Sequence, residues 1–358
     1  MQMRPLFGAE ESRAVCEYME EGGFLTEFRR TEQFERMIAD YTGARHCVVV
    51  NNGTVSLTLA AMAVGVKAGD EVIVPNYTMI ASPNSVLMFG AVPVFVDVER
   101  ETLCLDIVRV EAAITSRTKA IMFVSANGRY PAGGVEAFER LARDRGLALI
   151  EDAAQSLGSF YPDGRHVGRA GSVGSFSFST PKIISTGQGG ALITDDDDIA
   201  LHLRRLKDFG RSSGGNDIHD SIGYNFKFTE LQAAVGIEQM KKLPIRVNRK
   251  KEIWSRYAEQ LKNVAEVQLF AHDLKRTSPW FIDALVGRRS ALMEHLKTRQ
   301  IGTRVMYPPI NKQKAYQLPG DHPVSNVVGE HGLWFPSAVQ LTDGDIDRIC
   351  DAIRVFYA

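Results

Sequence analysis

Between residues 46 and 152 five short apolar runs recur, at 47–50, 72–75, 92–98, 121–124 and 147–150, and none alternates with polar residues. A strand that is apolar at every position has both faces buried, as in a parallel sheet covered by helices on each side. Helical patterns at 55–64, 85–89 and 135–145 lie between the runs, and such alternation builds an α/β fold. Two more strands are expected at 175–179 and 191–194. After about residue 240 the texture changes. A helix at 230–242 is expected to break at Pro244, because proline lacks the N–H that a helix interior needs. A charged helical stretch at 247–262, a strand at 281–286, a helix at 291–299, an irregular segment at 307–326 and a last helix at 343–356 follow. The expected organisation is a large α/β domain over 1–243, including an N-terminal helix, and a smaller α+β domain over 244–358.

The 358 residues are 44% hydrophobic and 24% charged, enough apolar material for a large core and too little charge for a disordered chain. Lys plus Arg (42) nearly cancels Asp plus Glu (43), so neither nucleic acid nor a membrane surface is indicated as a partner. Cys16, Cys47, Cys104 and Cys350 are widely spaced, which reads as buried thiols rather than a zinc site or a disulfide framework. With no apolar leader and no run approaching a membrane span, a cytoplasmic protein is expected.

In an open parallel sheet, ligands gather at the carboxyl ends of the strands. Asn51, Asn52, Gly53 and Thr54 follow the first run and open a helix. They read either as a simple helix cap or as an anion site, where free N–H groups and a hydroxyl meet a phosphate. Glu151, Asp152, Ala153, Ala154 and Gln155 follow the fifth run, so a carboxylate faces the cleft or starts another helix. Lys182 lies among hydroxyls, glycines and apolar residues, from Thr180 to Gly190. Either it is a surface lysine in a Gly-rich turn, or it is partly desolvated and able as a neutral amine to attack a carbonyl. An amine, a carboxylate and a phosphate cradle in one cleft would suit pyridoxal phosphate (PLP). The acids at 195–198 read as a helix start rather than a metal cluster, and no metal site is expected. Lys241, Lys242, Arg249, Lys250 and Lys251 read as a solvated basic helix face, with contact to a substrate diphosphate as the alternative.

At these residues the chain resembles the PLP-dependent nucleotide-sugar aminotransferases of the DegT/StrS type, a branch of the fold type I aminotransferases. The likeness spans nearly the whole chain. Its marks are Asn52, Gly53 and Thr54; the Gly69, Asp70, Glu71 sequence leading into the second run; the segment 151–155; Phe176, Ser177 and Phe178 followed by Lys182; residues 187–190; Gly223, Tyr224, Asn225 and Phe226; and Arg304 with Tyr307, Pro308 and Pro309. The resemblance implies a large PLP-binding domain with a mostly parallel, mixed sheet. It implies that Lys182 forms the Schiff base with PLP and then shuttles a proton, while Asp152 holds the pyridine nitrogen protonated. Gln155 would lie near the ring hydroxyl, and Gly53, Thr54 and Ser177 would bind the phosphate. Asn225 would reach the phosphate of a neighbouring subunit, which implies a homodimer with shared active sites. Arg304 and Tyr307 would shape the sugar-nucleotide pocket, and Lys227, close to Asn225, is a candidate for the diphosphate.

The chain departs from the family pattern at four places. Met79 stands where an aromatic residue stacks on the cofactor ring. Ser125, Ala126, Asn127 and Gly128 replace a His-Leu-Tyr-Gly sequence, Asn311 replaces a His, and Ser172 replaces an Asp. The second and third changes are expected near the sugar. Lys182 separates the chain from a dehydratase subgroup with His at this position. Residues 184–190 look more like members that aminate C4 of a 4-keto-6-deoxyhexose, such as perosamine synthases. The resulting expectation is amino transfer from an amino acid, L-glutamate foremost, to a keto sugar. A sugar dehydratase, a cyclitol aminotransferase and a non-catalytic PLP- or nucleotide-binding regulator are the alternatives.

Overall fold

The structure is a computed structural model and describes residues 5–212 and 217–358. Its strands are β1 (His46–Val50), β2 (Glu71–Pro75), β3 (Val92–Val96), β4 (Thr118–Val124), β5 (Ala148–Asp152), β6 (Val173–Ser177), β7 (Gly190–Thr194), β8 (Val267–Leu269), β9 (Ile282–Val286), β10 (Arg304–Val305) and β11 (Gly332–Phe335). Its helices are α1 (Ala9–Glu21), α2 (Arg29–Thr42), α3 (Gly53–Ala63), α4 (Ala81–Leu87), α5 (Ile107–Ala113), α6 (Glu136–Arg145), α7 (Asp197–Lys207), α8 (Glu230–Leu261), α9 (Arg289–Thr298), α10 (Pro323–His331) and α11 (Asp343–Tyr357).

The first seven strands form one sheet in the order β1-β7-β6-β5-β4-β2-β3. Its pairs are parallel except those made by β7, which runs antiparallel to both β1 and β6. The sheet is therefore mostly parallel and mixed, as expected. One face packs against Phe34 and Ile38 of α2, Phe138 of α6 and the first half of α8. The other face is covered by α3 and by Leu203 and Leu206 of α7. Burial on both sides is why the strand sequences show no alternation. The carboxyl ends of β1, β2, β4, β5 and β6 lie on one edge, because two antiparallel pairings through β7 return β1 to the common direction.

The last four strands form an antiparallel sheet, β10-β11-β9-β8, and with α9, α11 and the second half of α8 they enclose a separate core around Tyr257, Phe335 and Ile349. The expected break at Pro244 does not occur: α8 runs unbroken for 32 residues from one core to the other. Proline removes one backbone bond, but Leu243 and Val247 on either side are buried, and this packing outweighs the local penalty. The irregular segment expected at 307–326 contains a short 3-10 turn and the start of α10. Cys47, Cys104 and Cys350 are buried as expected, whereas Cys16 is exposed on α1. No helix among the described residues is long and apolar enough to cross a membrane.

Candidate active site

Each strand that ends on the common edge delivers a polar group. After β1, the Asn52 side chain accepts from the Val55 N–H at 2.9 Å and starts α3. The cap and the anion site are thus compatible, since the first N–H groups of α3 have no acceptor within the helix and carry its positive pole. Gly53 is packed so closely on β6 that a Cβ there would lie 2.8 Å from Ser177 Cβ and 2.9 Å from its Oγ. The missing side chain is what keeps the space between α3 and Ser177 open. The hydroxyls of Thr54, Ser177 and Ser179 line the same space, a donor set suited to a phosphate.

Asp152 is the last residue of β5, and no helix starts there, so it is not a helix-start acid. Its carboxylate accepts from Ser82 Oγ at 2.8 Å and from the Ala154 N–H at 3.1 Å, and Ser82 Oγ lies 2.9 Å from Thr78 Oγ1. Burial raises its pKa, and the two donors and the Lys182 amine act in the opposite direction. Glu151 points away from the edge and is held by Ser125, Tyr161 and the Ala170 N–H.

Lys182 lies in the turn after β6, with its N–H donating to Ser179 O at 3.0 Å. Its amine sits 4.2 Å from the centre of the Trp280 ring. Burial lowers its pKa to about 8, and the Asp152 charge opposes that fall only in part. Lys182 is therefore not a surface lysine of ordinary basicity.

One cavity of about 680 Å³ joins these groups. Of the site residues expected from sequence, Gly53, Thr54, Met79, Asp152, Gln155, Ser177, Lys182, Arg304 and Tyr307 all line it. Asn225 and Lys227 do not: Asn225 is exposed, and Lys227 is paired with Asp208 at 2.6 Å and lies over the Phe209 ring. The two replacements expected near the sugar also lie outside the lining. Asn311 is buried and bonded to Asn76. Asn127, in the left-handed region at φ 55°, works from behind the cavity wall. Its N–H donates to Gln155 Oε1 at 2.6 Å, and its side chain both accepts from the Phe281 N–H (2.6 Å) and donates to the Phe281 carbonyl (2.9 Å). With Oε1 so engaged, Gln155 has its amide N–H groups left to offer to the cavity.

Trp280 and Ser82 are functional candidates that the sequence reading passed over. Ser82 carried a local signal, four residues after Thr78 in the first turn of α4. Trp280 comes from the turn that leads into β9 of the second sheet, with only its aromatic character to mark it. Of the basic helix face, Lys241 is solvated as expected, but Lys250 is not. Lys250 is fully buried and donates to the carbonyls of Trp280 (2.6 Å) and Ser337 (2.5 Å), while Lys242 pairs with Glu10 and Glu11 and Arg249 with Glu252 and Asp343. At 195–198 the expected helix start is present: Asp196 caps α7, and Asp195 and Asp197 pair with Arg169 and Arg45.

Comparison with known proteins gives the same picture. The model of the DegT/DnrJ/EryC1/StrS aminotransferase family matches residues 6–354. The chain is 33% identical over 359 residues to a GDP-perosamine synthase of Escherichia coli O157:H7, covering 99% of this chain and 98% of that protein. It is 34% identical to the spore coat polysaccharide biosynthesis protein SpsC of Bacillus subtilis (strain 168), covering 98% and 96% respectively. Among solved structures, S. venezuelae DesV in complex with a ketimine intermediate superposes with a TM-score of 0.92 at 32% identity, covering 100% of this chain and 99% of that one. A match over nearly every residue, on a fold whose sheet edge gathers an amine, a carboxylate and hydroxyls beside a helix start, places the chain in the DegT/DnrJ/EryC1/StrS family of PLP-dependent sugar aminotransferases.

Proposed function

We propose that the enzyme transfers an amino group from an amino acid, L-glutamate being the expected donor, to the keto carbon of a nucleotide-linked 4-keto-6-deoxyhexose in amino-sugar biosynthesis. The observation that carries this reading is the convergence of the Lys182 amine and the Asp152 carboxylate on one cavity beside a phosphate cradle. The relatives named for perosamine and coat polysaccharide synthesis support a sugar as acceptor. PLP, when bound, supplies an aldehyde and an electron-accepting ring.

The chain's own residues do the rest. Gly53, Thr54 and Ser177 bind the phosphate through the positive end of α3 and their hydroxyls. Asp152 holds a proton on the ring nitrogen, and that positive charge in turn favours its ionised form despite burial. Gln155 donates to the ring oxygen, because its own carbonyl is taken by Asn127. Lys182, its pKa lowered by burial to about 8, would supply the amine that holds the cofactor and would move a proton at the reacting carbon. Met79, which lines the cavity, would offer its thioether to the ring in place of an aromatic face. Arg304 and Tyr307 shape the sugar-nucleotide end of the cavity.

A homodimer belongs to the same reading. Asn225 is exposed on a segment with the exposed apolar residues Ile222 and Tyr224, a surface suited to a second copy, through which Asn225 and Lys227 would reach the partner's site. Sedimentation of the purified protein as a monomer at working concentration would overturn this part.

The reading is tested with purified protein and PLP. A visible band from lysine-bound cofactor is expected, shifting when L-glutamate is added and returning when a nucleotide-linked 4-keto-6-deoxyhexose is supplied. Lys182→Ala should lose both the band and the turnover. A band that no amino donor moves would overturn the amino-transfer reading, and a band that glutamate moves but no keto sugar restores would overturn the sugar.

A further inference from the structure

Trp280 is held more firmly than packing alone requires. Its carbonyl accepts from the buried amine of Lys250 at 2.6 Å. Its indole N–H donates to the Pro181 carbonyl at 2.8 Å, one residue before Lys182. The next residue, Phe281, stacks on it at 3.9 Å and has its own backbone clamped by the Asn127 carboxamide. The ring is thus tied to the lysine's own turn, to α8 and to the loop after β4. What this arrangement presents to the cavity is an aromatic ring 4.2 Å from the Lys182 amine.

We propose that Trp280 is the docking surface for the Lys182 amine whenever that amine is not bonded to the cofactor, and that Lys250 and Asn127 are positioning residues that hold the indole in place. The proposal rests on the reading that Lys182 is the cofactor-bonding amine. Its chemical sense lies in what an aromatic ring lacks. A carboxylate at this place would fix the ammonium in an ion pair and hold its proton. A ring face attracts the ammonium through its quadrupole and offers no lone pair to take the proton. The docked amine therefore stays close to the reacting carbon and free to give its proton up. Because the indole is bonded to Pro181, ring and lysine turn keep a fixed relation. The charged group that acts on the amine is the Asp152 carboxylate at the end of β5, and the Tyr307 phenol and the Arg304 guanidinium line the same cavity.

The test uses cofactor-free protein recombined with PLP across a pH series, with the rise of the visible band as readout. The midpoint in the wild type is expected near pH 8. Trp280→Leu should lower that midpoint by about 0.5–1 pH unit, the loss of a ring–cation attraction, and should slow the single-turnover reaction with glutamate about tenfold. Trp280→Phe, with its weaker quadrupole, should fall between the two. Lys250→Met should move the midpoint in the direction of Trp280→Leu while leaving the ring in the sequence. If Trp280→Leu does not fold, the Phe variant decides alone: a midpoint and a single-turnover rate equal to the wild type overturn the proposal. Equal values in a folded Leu variant do the same. A wild-type protein that never forms a Lys182-dependent band would instead overturn the underlying reading of Lys182.

Discussion

Ser82 and Asp152, both buried, meet across a 2.8 Å hydrogen bond in which the Ser82 hydroxyl donates to the carboxylate. Thr78, 2.9 Å beyond, extends the contact into a short chain of hydroxyls running from the loop after β2 to the end of β5. The carboxylate is therefore oriented from the side of α4, and the Ser82 donor opposes the rise in pKa that burial imposes.

Removing that donor has a definite sign. The Ser82 bond lowers the Asp152 pKa, so Ser82→Ala leaves burial less opposed and favours the neutral acid. On the proposed reading, a neutral Asp152 would no longer hold a proton on the ring nitrogen. A hydrogen bond to a charged group is worth about 1.5–3 kcal/mol, so amino transfer should fall about tenfold or more. Steady-state rates of Ser82→Ala beside Ser82→Thr, which keeps the hydroxyl, check this; equal rates for Ala and wild type would remove Ser82 from the site.

At Gly53 the prediction concerns binding. A methyl there would have to displace Ser177 by several tenths of an ångström from the cradle. Gly53→Ala should keep the fold, since alanine is favoured in a helix, yet weaken PLP binding at least about tenfold. Titration of cofactor-free protein by fluorescence gives the number, and an unchanged affinity would mean that the phosphate lies elsewhere.

Legibility of this molecule followed the distance over which each signal acts. The strands could be read because burial on both faces marks every residue of β2 and every residue of β4 except Lys119. Asp152 could be read because the end of an apolar run in a parallel sheet is a position with a known direction. Trp280 could not: its role depends on meeting Pro181, 99 positions away, across two sheets. Pro244 misled because local backbone chemistry was weighed without the cores that hold both halves of α8. Lys250 misled for another reason. It was counted with its charged neighbours, although it shares a helical stripe with Leu243, Val247, Ile253 and Tyr257, all buried. The stripe was visible in the sequence, and a lysine on it should have been expected inside.

Stability should respond at the junction of the two sheets. Arg129 and Asp283 form a bidentate pair at 2.7 and 3.1 Å, 4% and 1% exposed, which joins the loop after β4 to β9. Arg129→Met leaves a buried carboxylate without its partner, which costs about 3–5 kcal/mol. The double variant with Asp283→Leu should recover a good part of that loss, because two apolar groups replace two charges. Urea unfolding of the three proteins measures the coupling, and a single variant within about 1 kcal/mol of wild type would show the pair to be dispensable.

The amine of Lys182 makes the stability of the cofactor-free enzyme depend on pH. In the folded chain it titrates near 8, and in the unfolded chain near the ordinary value of 10.5. Between those values the unfolded chain binds more protons, so stability must rise with pH across that window; below about 8 the full cost of charging the confined amine is present. Lys250, lowered to about 7 by burial, adds a rise of the same sign from pH 7 upward. Above about 10 the buried phenols of Tyr77 and Tyr257, whose pKa values are raised, reverse the trend, because the unfolded chain then loses protons that the folded one keeps. Wild-type protein should therefore gain stability from pH 7.5 to 9.5. Lys182→Met should gain less, by on the order of 1 kcal/mol once solvent access from the cavity is allowed for, and should be the more stable of the two at pH 7.5. Urea midpoints of both cofactor-free proteins at the two pH values check each sign. Identical gains would mean that Lys182 titrates like an exposed lysine, which would remove the lowered basicity from the proposed reading of this amine.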